Sequence, residues 1–300
     1  MKFVVISIFG LISNVIICQI DDLTFKPIRF TGISGSFGFM SAKYSGLTTN
    51  QLKPIFTGDL SLDQNYTNDY TYAPYFIATN GLSSFQLELK TFYEINTMKK
   101  VNLEGFIGFR FANTILAGGY YSQKNPLKTN EIYQSSNSAN ILEKQSITRL
   151  DASYGIYGNT LFLPMGINLN TKKSRIVWLN AGLEFSPGLT INKVYESTIT
   201  ESKQTTYIEN GAVQQGFGKN ISYDQITLHH YSERITKPSM MLMMSMPFGV
   251  NIRLGKKMPV LKHTNILFLI APNWTYRNTS YLGSSHGFGM QSSLGLNFRW

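Results

Sequence analysis

Cysteine occurs once in the 300 residues, at Cys18, and charged side chains make up only 15% of the chain. The opening stretch MKFVVISIFGLISNVIICQIDD places Lys2 before an apolar run from Phe3 to Ile17 and closes it abruptly at Asp21 and Asp22. That run has the length of a signal-peptide core and is too short for a comfortable membrane span. We read residues 1–18 as a secretory signal cut after Cys18, with residues 19–300 as the mature protein. A lipoprotein acylated at Cys18 is the alternative, but Ile17 stands where a lipobox needs a small residue. Cutting after Cys18 removes the one thiol, which excludes disulfides and thiol chemistry. Long apolar runs are equally scarce. Beyond residue 20 no stretch approaches the ~18 apolar residues of a transmembrane helix, so an exported chain of this kind has no second helical anchor.

What the chain does hold is 43% hydrophobic and 13% aromatic residues, with 17 Tyr, 20 Phe and 25 Gly. High Tyr, Phe and Gly with few charges suits many strands whose outward faces meet lipid and whose rings gather at the interfaces. The net charge of +10 falls to +9 once Lys2 leaves with the signal. Lys and Arg are scattered among the strands instead of forming a stripe, which argues against nucleic acid as a partner. Anionic lipid head groups are the better counterpart.

The last residues, SSLGLNFRW, alternate: Leu294, Leu296, Phe298 and Trp300 on one parity, Ser293, Gly295, Asn297 and Arg299 on the other. This is the period of a strand with one apolar face. Three segments repeat a hairpin pattern, YEINTMKKVNLEGFIGF, INLNTKKSRIVWLNAGLEF and VNIRLGKKMPVLKHTNILFLI, each with a Lys pair in a short turn. The pairs are Lys99 and Lys100, Lys172 and Lys173, and Lys256 and Lys257. Between them lie long polar stretches, roughly 46–80, 122–144, 200–220 and 277–285. Short turns alternating with long loops match the periplasmic and extracellular ends of a bacterial outer-membrane barrel.

The expected fold is therefore all-β, a transmembrane antiparallel up-and-down β-barrel of eight strands, both termini at the periplasmic end. The strands fall at about 30–45, 82–95, 101–121, 144–169, 174–199, 221–254, 262–276 and 286–300. A membrane strand needs only about 9–11 residues. The fourth to sixth are far longer, so either they project as a ribbon or two strands are fused and the count is ten to twelve.

Strand phase carries the same reading. Val101, Leu103, Ile107, Phe109 and Phe111 share a lipid-facing parity, as do the alternate residues from Met240 to Leu254, while Asn102, Glu104 and Arg110 point inward. In the fourth strand the apolar parity switches between Ala152, Tyr154 and Ile156 and Leu161, Leu163, Met165, Ile167 and Leu169. A bulge near Gly158 to Thr160 would reconcile the two, since one extra residue exchanges the faces. Pro164 and Pro247 lack a ladder donor and should sit at bulges or weakly paired positions.

Together the signal ending in CQIDD, the Lys turns, the strands LPMGINLN and MPFGVNIRL and the aromatic C-terminus resemble the small outer-membrane β-barrel proteins of Bacteroidota, the PorT-like group. That resemblance implies an integral outer-membrane barrel of a Gram-negative bacterium, with some members associated with secretion across the outer membrane. It also implies that the terminal strand, with Phe298 and Trp300, is the signal read by the barrel-assembly machinery. Trp300 departs from the commoner final Phe.

An eight-stranded barrel is just wide enough for its own side chains to fill it. The inward candidates are Glu88, Lys90, Glu94, Glu104, Arg110, Asp151, Glu184, Arg253 and Arg299. Charges of both signs in a narrow lumen need partners, so we expect a structural network, with a narrow ion path as the alternative. The Lys pairs serve as solvated turn residues or as contacts to anionic head groups of the inner leaflet, each worth on the order of 1 kcal/mol. Loop tyrosines Tyr66, Tyr70, Tyr72, Tyr75, Tyr133 and Tyr207 offer amphipathic contact area or girdle residues.

The stretch LHHYSER brings His229, His230, Ser232 and Glu233 close in sequence, the residue types of a lipid hydrolase. On a strand, however, His230 and Ser232 share one face and His229 and Glu233 the other, so no triad assembles locally. Nor does a His pair with no third ligand, beside the remaining His263 and His286, make a metal site. No catalytic residue, metal or cofactor is expected. The reading is a non-enzymatic envelope protein acting through external loops on a surface or protein partner, with a channel or a lipid-modifying enzyme as the alternatives.

Overall fold

The structure, a computed structural model, describes residues 29–43, 49–63, 70–72, 81–97, 101–134, 141–171, 176–209, 212–213, 221–255, 259–279 and 281–299. Its strands are β1 (Arg29–Lys43), β2 (Tyr70–Tyr72), β3 (Gly81–Thr97), β4 (Val101–Gln123), β5 (Leu127–Gln134), β6 (Ile141–Phe162), β7 (Met165–Thr171), β8 (Val177–Glu209), β9 (Ala212–Val213), β10 (Ile221–Ile235), β11 (Ser239–Ser245), β12 (Phe248–Arg253), β13 (Thr264–Thr279) and β14 (Gly283–Arg299). All of them join one antiparallel sheet.

The segments compose eight staves. β1 pairs with β3, β3 with β4, β4 with β6 and β7, and these with β8. Strand β8 pairs in turn with β10, β11 and β12, the last two with β13, β13 with β14, and β14 with β1. The ring is closed and no stave leaves an edge within it. A break at residues 236–238 separates β10 from β11, and two more fall at Leu163–Pro164 and Met246–Pro247, as the missing amide donors require. Each proline carbonyl still accepts a cross-strand bond, Gly108 N to Pro164 O at 2.8 Å and Gly182 N to Pro247 O at 2.9 Å.

The extra residue expected near Gly158 is present, but on the neighbouring strand. Tyr157 pairs with Val194 and Asn159 with Ile191, so β8 carries one residue more than β6 between the same rungs. Asn192 takes the positive φ of 50°, which asparagine tolerates better than most residues. The faces therefore exchange on β8: Glu184, Ser186 and Thr190 are buried below the bulge, Lys193, Tyr195, Ser197 and Ile199 above it. Strand β6 keeps its even residues inside throughout, with Ala152, Tyr154, Ile156, Thr160 and Phe162 all buried. The apolar parity of its upper half lines the lumen instead of the lipid face.

The outer wall is apolar on every stave. Phe37, Leu87, Phe109, Leu163, Leu179, Met244, Phe268 and Leu296 are all exposed, and Leu89 reaches 65%. Rings flank this band. Phe30 meets Tyr93 edge-on at 5.8 Å at the end where the termini lie, and Trp274 stacks with Tyr276 at 6.5 Å toward the other. A closed ring with an apolar wall and aromatic girdles is a transmembrane β-barrel. Phe298 is half-buried on the same wall, opposite Ile33 and Thr264.

Closure brings the first and last strands very near. A β-carbon on Gly289 would lie 1.6 Å from the Ser41 carbonyl oxygen, so only glycine fits there.

Three staves continue past the band as a projecting sheet. Strand β5 pairs with the start of β6, the first half of β6 with the end of β8, and that end with β10. The excess length of the fourth to sixth staves is this sheet, not a fused pair. The described residues of stretches 122–144 and 200–220, expected as loops, are thus largely strand. Strand β5 shows no alternation because both of its faces meet solvent, residues 127–132 being exposed in succession.

Candidate functional site: a charged lumen beneath a plugged mouth

Alternation along β3, β4 and β8 aims Glu88, Lys90, Arg110 and Glu184 into one layer of the lumen. Lys90 Nζ lies 2.7 Å from Glu88 and 2.6 Å from Glu184, and Arg110 Nη2 lies 2.8 Å from Glu88 and 2.6 Å from Glu184. Two cations and two carboxylates close a neutral cycle. All four side chains are buried, the condition under which ion pairs must be complete.

A second layer lies nearer the termini. Arg299 contacts Glu104 at 2.9 Å and sits 3.5 Å over the Phe92 ring, while Asn170 and Thr31 donate to the same carboxylate at 2.8 and 3.3 Å. Arg253 points inward over Trp178 at 5.7 Å. Asn297 donates to Asn251 at 2.9 Å, and Asn251 to Asn180 at 3.3 Å, so the repeated Asn of the hairpins lines this end of the lumen. A cavity of about 20 Å³ separates the layers, enough for about one water.

Of the remaining expected residues, Glu94 is half-buried on the inward parity of β3. Asp151 is a correction: it lies on the outer face of β6, accepting from Ser122 at 2.6 Å and Ser202 at 3.4 Å, because even residues face inward there. Lys99, Lys100, Lys172, Lys173, Lys256, Lys257 and Trp300 lie outside the described residues, as do residues 1–18, Tyr66 and Tyr75. Tyr70, Tyr72, Tyr133 and Tyr207 stand on strands.

Above the neutral cycle the lumen turns apolar. Met241 and Met243 are fully buried, with Thr190 and Thr160 donating to the Met241 sulfur at 3.4 and 3.8 Å. Over them sits a plug drawn from stretch 46–80, which the sequence presents as an external polar loop. A helical turn (Thr49–Leu52) and a 3-10 turn (Leu60–Asp63) bury Leu52, Phe56 and Leu62 against Met40, Leu116, Ile199 and Ile235. The apolar residues in LTTNQLKPIFTGDLSLD were the available signal, but they follow neither strand nor helix period.

Asp59 fastens this plug. Its carboxylate is buried and accepts from Tyr195 Oη at 3.0 Å, from Ser61 Oγ at 2.6 Å and Ser61 N at 3.0 Å, and from Ser197 Oγ; His229 Nε2 lies 2.9 Å away. Burial alone would raise the carboxyl, but the Ser197 and Ser61 hydrogen bonds outweigh it and hold Asp59 below its ordinary value. A depressed value stabilises the seated plug above the ordinary aspartate pKa, and that contribution is lost as pH falls through the depressed value. Amide exchange at Phe56, Asp59 and Leu62, corrected for intrinsic rates, is expected to lose protection on that descent, and Asp59→Asn to remove the pH dependence.

Among the described residues no serine hydroxyl is hydrogen-bonded to a histidine. His229 contacts Asp59, while His230 Nδ1 lies 3.3 Å from Thr198 on the opposite face. The serines at Asp59 bond its carboxylate directly, which leaves no Ser–His–Asp order. His263 Nδ1 meets the Arg299 carbonyl at 2.7 Å, and His286 is exposed on the outer wall. Among the described residues no group of three or more His, Cys, Asp and Glu side chains is placed to hold a metal ion.

No family model matches this sequence and no curated protein does. Among solved structures, the attachment invasion locus protein Ail of Yersinia pestis aligns over 90% of this chain and 99% of its own, at 11% identity and a TM-score of 0.23. The translocator domain of the autotransporter NalP from Neisseria meningitidis aligns over 97% and 95%, at 7% identity and 0.21. The toluene transporter TodX of P. putida aligns over 92% and 91%, at 6% identity and 0.20. The barrel rests on its own strand pairings.

Proposed function

We propose that this chain is an integral barrel of the Gram-negative outer membrane, non-enzymatic, with a closed lumen, that acts through the sheet it projects beyond the bilayer. The observation that carries this is the length of β8, 33 residues where a crossing needs about 9–11. Its partner is a protein of the envelope or surface, or a secretion complex. Photocrosslinkers placed at Tyr223, Ile226 and Ile132, all exposed on the projecting sheet, should capture protein in whole cells, and one at Leu89 should capture lipid. Equal protein capture at all four positions would defeat the reading.

The same proposal takes residues 1–18 as the signal peptide, the three Lys pairs as contacts to anionic inner-leaflet head groups, and Phe298 with Trp300 as the segment read by the assembly machinery. Strand alternation, turn position and the terminal parity support these roles. The quoted hairpin motifs support a place in the PorT-like group of Bacteroidota. The lumen charges serve structure, which their neutral, mutually bonded arrangement favours.

A filled lumen makes a further expectation. Purified protein in planar bilayers should show no conductance steps, because Arg110, Phe162, Met241 and Met243 leave no aqueous path at their level. Regular steps from the unmodified protein would restore the channel alternative.

A further inference from the structure

The plug is bound to the barrel in an unusual way. Its backbone bonds are its own: Phe56 N to Leu52 O at 2.9 Å, Asp59 N to Phe56 O at 3.1 Å and Leu62 N to Asp59 O at 3.1 Å. Among the described residues no backbone hydrogen bond joins it to a strand. Helical turns this short do not hold themselves together in water, so side-chain contacts must seat them.

Those contacts converge on one tyrosine. The Phe56 ring stacks on the Tyr195 ring at 3.9 Å and 7°, and the Tyr195 hydroxyl donates to Asp59. The plug thus presents an aromatic ring and a carboxylate, three residues apart, to a wall that supplies an aromatic platform, the Tyr195 and Ser197 hydroxyls and the His229 ring. An apolar floor with a few convergent polar groups at its rim is the composition of a small-molecule site.

We infer that Tyr195, Ser197 and His229 form a binding site for a small aryl carboxylate entering from the outer end of the barrel, and that Phe56 and Asp59 occupy it from within the chain. A tethered occupant acts at a millimolar effective concentration, so a free ligand must displace it or find it weakened. His229 stands on β10 and Tyr195 and Ser197 on its partner β8, so the site lies at the base of the projecting sheet; Tyr223, Ile226 and Ile132 take no part in it, and either reading survives the failure of the other.

The test uses full-length protein in detergent, with 3-phenylpropanoate as the probe and calorimetry as the readout. Replacing both plug groups, Phe56→Ala with Asp59→Ala, should tighten probe binding at least tenfold over the parent. Adding Ser197→Ala and His229→Gln to that variant should abolish it. 3-Phenylpropan-1-ol, which lacks the carboxylate, should bind at least tenfold more weakly. No binding by the opened variant while its gel migration remains heat-dependent overturns the inference, and so does equal binding of the alcohol.

Should the opened variant fail to fold, the otherwise intact plug decides the matter. In a Cys18→Ser background, the buried Leu52→Cys thiol should react faster with maleimide as 3-phenylpropanoate is raised through the millimolar range, and saturably. A rate indifferent to the probe refutes the site.

Discussion

Replacing Arg110 by methionine is expected to lower the unfolding free energy of the barrel in phospholipid vesicles by about 3–5 kcal/mol. Arg110 is fully buried and holds both Glu88 and Glu184, so its removal leaves Lys90 alone to neutralise two carboxylates away from water. The penalty comes from the groups left behind, not from the pairs as such. Removing all four charges together, with Glu88→Gln, Lys90→Met, Arg110→Met and Glu184→Gln, should therefore recover most of the loss. Urea unfolding of the two variants checks this. A single substitution that shifts stability by less than about 1 kcal/mol would mean that water reaches this layer and that the lumen is more open than its packing indicates.

That layer was half legible in the sequence. Inward parity picks out Glu88, Lys90, Arg110 and Glu184 one strand at a time, because side chains alternate strictly along a stave. Which of them meet depends on ring closure and stagger, and these connect β3 with β8 over a separation of 94 residues. No local pattern reports a distance of that kind. Asp151 went astray for a related reason: its strand changes apolar parity, and the sequence does not say which half faces lipid and which faces a plug.

The plug itself was hidden by composition. Polar residues around Leu52, Phe56 and Leu62 give stretch 46–80 the look of an external loop, and Asp59 is one acid among many until Tyr195, Ser197 and His229 surround it. Stave number was readable from short turns alternating with long polar stretches, and the proline breaks from the missing amide donor. The projection was legible as excess length in the fourth to sixth strands, but β5 and the end of β8 escaped, because a strand wet on both faces has no reason to alternate.

The outer wall carries the remaining decisive expectation. Leu89 stands on the apolar parity of β3 between Leu87 and the Tyr93 girdle, 65% exposed. On a protein surface facing water, Leu→Arg at such a position would change stability by no more than about 0.5 kcal/mol. In a bilayer the same substitution buries a cation in hydrocarbon and costs about 2–4 kcal/mol near the midplane. We expect the larger loss for Leu89→Arg and the smaller for Gln225→Arg on the projecting sheet, both measured by urea unfolding from the same vesicles. If both substitutions proved neutral, the apolar wall would face water or a protein partner instead of lipid. If both proved costly, the projecting sheet would lie within the membrane. The difference between the two positions therefore locates the bilayer on the barrel, with the end of the apolar wall as its outer limit.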